Sequence, residues 1–165
     1  MPDIVLTTLN ARYHHSAFGL RYLMANLGEL QSHATMLEFT VGDRTVDIID
    51  ALLQQKPRIV GIGVYIWNVE AVTKLVADLK RIQPDLVIVL GGPEVSYEVE
   101  TQPLIDLADH LITGEADIAF RELCEQLLNV SGNPLALSPP KILHAPAPAL
   151  NEIKSPYDRL SLIHI

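Results

Sequence analysis

Leu86-Val-Ile-Val-Leu-Gly-Gly-Pro-Glu94 decides the fold. Five apolar residues without a polar interruption predict a strand covered on both faces, the pattern of a parallel sheet. Gly91 and Gly92 end it, so a ligand can lie directly on backbone there, and Pro93 fixes the turn that follows. A plain left-handed turn is the other reading of the same pair. Outward from this run, shorter apolar segments recur at Ile4 to Leu9, Ala34 to Phe39, Ile59 to Tyr65 and Leu111 to Thr113. Helical periodicity follows each of them. Ser16 caps a helix with Leu20, Leu23, Met24, Leu27 and Leu30 on one face, and Asp43 caps one with Val46, Ile49 and Leu53, stopped by Pro57. Asn68 starts a helix whose buried stripe is Val72, Leu75, Val76, Leu79 and Ile82. A less regular helix containing Pro103 precedes the fifth strand, and Phe120, Leu123, Cys124, Leu127 and Leu128 form the stripe of the last helix.

Five βα units with right-handed crossovers give an α/β three-layer αβα sandwich on a five-stranded parallel sheet of flavodoxin-like (Rossmann-like) order 2-1-3-4-5. Ligands of such folds bind above the carboxyl ends of the strands, at the switch point between strands one and three. Residues 1–130 make that domain. Six of the eleven prolines fall after residue 133, where periodicity disappears, so residues 131–165 read as an extended Pro-rich connector and the chain as cut from something longer.

At 165 residues, with 48% hydrophobic and 19% charged side chains, the chain can bury a full core, and no apolar run approaches the ~18 residues of a membrane span. The N-terminus carries no export signal, so the chain reads as cytoplasmic. Cys124 is the only cysteine, which excludes a disulfide framework and any zinc or iron–sulfur cluster held by several cysteines of this chain. The net charge of −8 has the wrong sign for nucleic-acid phosphates or an anionic membrane. All of that excess lies between Glu94 and Glu125, a solvated face or a docking surface for a basic partner.

Three loops concentrate hydrogen-bonding and flat side chains at the expected ligand edge. The first connection, Asn10-Ala-Arg12-Tyr13-His14-His15-Ser16, is a ligand-contacting loop at a helix start, or a surface loop with one packed imidazole. After the third strand, Gly61-Ile-Gly-Val-Tyr65-Ile-Trp67-Asn68 puts Tyr65 and Trp67 where a flat ligand would sit. The alternative is that Trp67 covers the core and Gly61 and Gly63 allow close helix approach. Gly91-Gly92-Pro93-Glu94 and Gly114-Glu115 complete the rim. A phospho-receiver site lacks its clustered carboxylates, and a P-loop, a dinucleotide fingerprint and a GxSxG elbow are absent.

Four stretches, Leu9-Asn-Ala-Arg-Tyr-His-His-Ser-Ala-Phe-Gly-Leu-Arg-Tyr22, Gly61 to Asn68, Val89-Leu-Gly-Gly-Pro-Glu-Val-Ser96 and Ile112-Thr-Gly-Glu-Ala-Asp117, together resemble the N-terminal domain of the cobalamin-binding radical S-adenosylmethionine (SAM) proteins. The resemblance spans about residues 3–130. It implies a corrinoid at the carboxyl edge of the sheet, and a following domain that binds S-adenosylmethionine and a four-iron (4Fe-4S) cluster through Cys-x3-Cys-x2-Cys, a motif this sequence lacks. It also implies methyl transfer as the parent's chemistry, with this chain alone not catalytic. The Asp-x-His-x-x-Gly motif that presents histidine to cobalt is missing, and His15-Ser-Ala-Phe-Gly19 is one residue too long for it. The expectation is therefore base-off, histidine-off cobalamin, with the benzimidazole beside Gly91 and Gly92 and the lower corrin face near Tyr13, His14 and Tyr65. The competing reading is a cofactor-free regulatory or docking domain that uses the acidic face.

Overall fold

The structure is a computed structural model that describes residues 1–11, 17–97, 99–129 and 138–156. Its strands are β1 (Ile4–Asn10), β2 (Ala34–Thr40), β3 (Ile59–Gly63), β4 (Val87–Gly91), β5 (His110–Gly114) and β6 (Ile142–Ala145). The helices are α1 (Phe18–Ala25), α2 (Thr45–Gln54), α3 (Val69–Ile82), α4 (Pro103–Leu107) and α5 (Ala116–Asn129). All strand pairs are parallel, in the order β2-β1-β3-β4-β5-β6. The expected order holds, extended by one strand. β6 comes from within the Pro-rich segment and pairs with β5 from Leu111↔Ile142 to Gly114↔Ala145.

Period-two alternation sorts each strand between two cores. Val5, Val60, Ile62, Ile88, Leu90 and Leu111 pack with α2, α3 and α4. Ile4, Leu6, Ile59, Val89 and Ile112 pack with α1 and α5. Ile88, Val89 and Leu90 are all buried, as the unbroken run in β4 requires.

Helix boundaries differ from expectation in two places. Asp43 does not cap α2: its carboxylate accepts from the Thr40 N–H at 2.8 Å and closes a turn, so the helix begins at Thr45 after Arg44. The first helix ends at Ala25, and Leu27 and Leu30 reach the core from and beside a 3-10 turn over Gly28–His33. The Ser16 cap lies outside the described residues.

At the amino end of the sheet, Lys80 Nζ donates to the carbonyls of Pro84 and Leu86 and to both Asp109 oxygens, while Asp109 Oδ2 also accepts from the Ile88 N–H. That clamp holds α3, β4 and the start of β5 together. Asn26, at the end of α1, donates to the Lys154 carbonyl and accepts from the Lys154 N–H, tying the segment after β6 to the fold.

Candidate functional site

A row of missing side chains builds the site. Gly61 and Gly63 stand two apart in β3, so both face α1 and α5, and Gly63 is the register partner of both Thr8 and Gly91. Across the carboxyl half of the sheet, this face therefore carries Thr8, Gly63 and Gly91 side by side. Where the strands offer no bulk beneath α1 and α5, a cavity of about 420 Å³ opens, within the range of ligand pockets (about 300–1,000 Å³). Its lower walls are apolar: Leu20 and Leu23 of α1, Val89, Ile112 and Phe120. Its mouth is polar or bare, formed by Tyr65, Gly92, Ser96, Gly114, Glu115 and Asp117.

The glycines differ in what they permit. At Gly61 a Cβ would lie 3.0 Å from both the Phe120 ring and the Leu6 methyl, so this glycine does allow the close approach of α5. At Gly91 a Cβ would meet only the Ile112 carbonyl, at 3.8 Å, leaving open space. Gly92 has φ +117° and a Cβ there would strike the Val64 carbonyl at 2.4 Å, so no other residue fits the turn unstrained. Ser96 braces the rim: its hydroxyl donates to the Gly92 carbonyl and accepts from the Gly114 N–H.

Tyr65 leaves β3 toward α1, where its hydroxyl would lie 3.4 Å from a Cβ at Gly19, and it walls one side of the mouth. Burial pushes its phenol pKa up. Its other neighbour is Trp67, stacked at 4.6 Å with an interplanar angle of 3°. Trp67 donates from Nε1 to the Leu9 carbonyl, is half exposed, and borders a separate cleft between α2 and α3 with Asp43, Glu70 and Lys74.

Of the residues expected at the site, Tyr65, Gly91, Gly92, Pro93, Gly114 and Glu115 line the cavity. Glu94 sits just behind the rim, its N–H donating to the Val64 carbonyl. Asn10 ends β1 with its carbonyl accepting from the Val41 N–H, and it is not among the residues that line the cavity. Asn68 is fully buried. Its carbonyl oxygen accepts from the Tyr65 N–H, and its amide donates to Thr8 Oγ1 and to the Leu9 and Gly63 carbonyls. Its side chain joins β1 to the turn after β3. Arg12, Tyr13, His14, His15 and Ser16 lie outside the described residues. Sequence reasoning passed over Gly63 as floor, and over Asp117 and Phe120 as wall; the spacing Gly61-x-Gly63 on one strand face was the available signal.

Among the described residues no group of three or more His, Cys, Asp or Glu could hold a metal ion, and no histidine lines the cavity. No helix among them is long and apolar enough to cross a membrane.

The B12 binding domain model matches residues 4–124, which include the whole glycine row and the first turns of α5. This chain belongs to the B12 binding domain family. Over 72 residues, 41% of the chain, it is 32% identical to the cobalamin-dependent radical SAM methyltransferase TokK of Streptomyces tokunonensis. It spans about a tenth of that protein, 10% of its length. Among solved structures, a cobalamin-binding protein from Desulfitobacterium hafniense DCB-2 superposes with a TM-score of 0.54 at 24% identity, over 76% of this chain and 58% of that one. The cobalamin-dependent S-adenosylmethionine radical enzyme OxsB, with aqua-cobalamin bound, does so with a TM-score of 0.59 at 20% identity, over 78% and 19%. These two are likenesses of fold. A B12 binding domain with an open, glycine-floored cavity at the carboxyl edge is what the chain presents.

Proposed function

We propose that this domain binds cobalamin with the nucleotide tail lowered into the cavity and the corrin ring over the carboxyl edge, base-off and with no histidine on cobalt. The observation that carries the reading is the bare strand face at Gly63 and Gly91, with apolar walls from Leu20, Val89 and Phe120 beneath a polar mouth. A flat heteroaromatic base fits between such walls, because burying apolar faces against apolar side chains is favourable. A second cradle, at Gly92 and Gly114, brings backbone to the surface where any Cβ would collide with a carbonyl. Gly91, Gly92 and Phe120 would hold the tail, Tyr65 and the loop from Asn10 to Ser16 would flank the corrin, and Pro93, Glu94, Gly114 and Glu115 would complete the rim.

When bound, cobalamin supplies a cobalt centre able to carry a methyl group. This chain's own residues bind and orient the cofactor and shield its tail from water. We read the parent as a cytoplasmic cobalamin-dependent radical SAM enzyme of methyltransferase type. In that reading S-adenosylmethionine and a 4Fe-4S cluster sit in a neighbouring domain beyond residue 130, the partner this module serves. The similarity to TokK supports this assignment.

The test is a visible spectrum of the chain after incubation with hydroxocobalamin and desalting, repeated under reduction to Co(II). Retained cobalamin with a base-off Co(II) spectrum is the expected result, lost in Gly91→Trp, which fills the cavity without straining the turn. A folded wild-type chain that retains none would overturn the reading.

A further inference from the structure

We propose that residues 138–156 form a strap on the cavity rim, and that docking of the strap and occupancy of the cavity strengthen one another. This concerns regulation of the proposed cofactor site and rests on that reading. The strap begins at the amino end of β5, where His110 Nδ1 donates to the Pro140 carbonyl at 2.8 Å and the Leu111 N–H donates to the Lys141 carbonyl at 2.7 Å. It then runs beside β5 as β6 and reaches the cavity mouth at Ala145, the register partner of Gly114. Gly114 lines the cavity at φ +83°. A Cβ on it would lie 2.4 Å from the Ala145 carbonyl, so strap and rim meet backbone to backbone. The Gly114 N–H donates to Ser96 Oγ at 3.4 Å, and that hydroxyl donates to the Gly92 carbonyl at 2.9 Å. From Ala145 through Gly114 and Ser96 to Gly92, the strap is joined to both glycine turns of the mouth.

The strap is held lightly. β6 has four residues, none of them fully buried, and a partner strand on one side only. Near the mouth, Thr113 Oγ1 and His144 Nδ1 share a hydrogen bond at 2.8 Å. At the far end, Asn26 holds both the N–H and the carbonyl of Lys154. Between these points the chain is largely exposed, Leu150 to 91%. A short edge strand with so little burial opens locally, ahead of the sheet beside it. Gly114 converts that opening into a change at the rim: with no Cβ, and with Ala145 gone, its backbone has several conformations open to it. A ligand resting on the rim requires one of them, and the docked strap already imposes one. Whichever event comes first lowers the entropic cost of the other, which is positive coupling in both directions. In the reading above the same segment leads toward the neighbouring domain, so the chain itself relays the state of the cavity.

The experiment follows amide hydrogen exchange across residues 142–145 and at Lys154 in the full chain, free and loaded with hydroxocobalamin. Loading is expected to slow exchange there about tenfold, the order of typical coupling between two sites. Two variants release the strap at points outside the cavity lining. Leu143→Ser removes an apolar contact with the α1/α5 core, and Asn26→Leu removes both bonds to Lys154. Each should exchange faster over residues 142–145 and bind cobalamin about tenfold more weakly, because linkage makes the two effects reciprocal. Protected amides in β1 and β3 show that a variant is folded, and either variant serves should the other fold poorly. Strap exchange that ignores loading, in a chain that retains cobalamin, overturns the coupling and leaves the cavity reading standing. Wild-type affinity in a folded variant whose strap exchanges freely does the same. A folded wild-type chain that retains no cobalamin overturns both.

Discussion

Gly63 and Gly91 are register partners on adjacent parallel strands, and neither puts a side chain beneath the cavity between α1 and α5. Gly91, which ends β4, and Gly92, which follows it, have separable roles. Gly91→Ala should leave stability within about 1 kcal/mol of wild type, since its Cβ meets nothing closer than 3.8 Å. Gly92→Ala should cost about 2–4 kcal/mol, because φ +117° and a 2.4 Å approach to the Val64 carbonyl force the backbone to move. Urea unfolding of the two variants measures the difference, and equal midpoints would contradict it.

Asn68 has the composition of a ligand contact and the surroundings of a structural bolt. Asn68→Ala should lose about 2–4 kcal/mol, since the Tyr65 N–H and the Thr8 hydroxyl region lose a buried partner at once. Asn68→Asp should fare no better, because a carboxylate cannot donate to the Leu9 and Gly63 carbonyls. Thermal unfolding read by circular dichroism checks both, and wild-type melting temperatures would refute the bolt.

Asp117 gives the fold a pH signature. Its pKa is raised above the ordinary 3.8, chiefly by burial, so the native state holds the proton more tightly than the unfolded chain does. The Asp117 contribution to stability is therefore most favourable below that value and declines as pH rises through the folded pKa. Asp117→Asn should melt higher than wild type near pH 7, with the gap closing toward pH 3.5. Melting curves at the two pH values decide it, and a gap that widens in acid would reverse the sign.

Cys124 is fully buried in the α1/α5 core, and burial together with Glu125 pushes its thiol up to about 12. The native chain should resist Ellman's reagent at pH 8 and release one equivalent of thiol on unfolding in guanidinium, because the thiolate is the reactive species. Immediate reaction of the folded chain would show the core open at α5.

The central strands were legible because their hydrophobicity is uninterrupted: Leu86 to Leu90 admits few other readings, and the strand order followed from chain economy. β6 was not legible. Its four residues, Ile142-Leu-His-Ala145, lie among prolines with only partial burial, and a strand that short on an edge carries almost no periodicity. What creates it is the tertiary neighbour β5, whose Leu111 N–H donates to the Lys141 carbonyl and whose Gly114 admits the Ala145 carbonyl where a Cβ could not fit. The rim of the site was likewise visible as Gly91-Gly92 and Gly114, whereas its floor depends on pairing across strands: Gly63 matters because Gly91 lies opposite. Asp117 was hidden among nine acids between Glu94 and Glu125, and only the fold separates it from the solvated ones.

The parallel stack of Tyr65 on Trp67 has an optical consequence. The chain holds one tryptophan, so all indole emission originates a single ring-stacking distance from the wall of the cavity. A corrinoid seated there absorbs in the near ultraviolet and would drain that emission by energy transfer, and a shift of the Tyr65 ring would alter it by contact. The molecule thus carries its own fluorescent gauge of occupancy, readable without any added label.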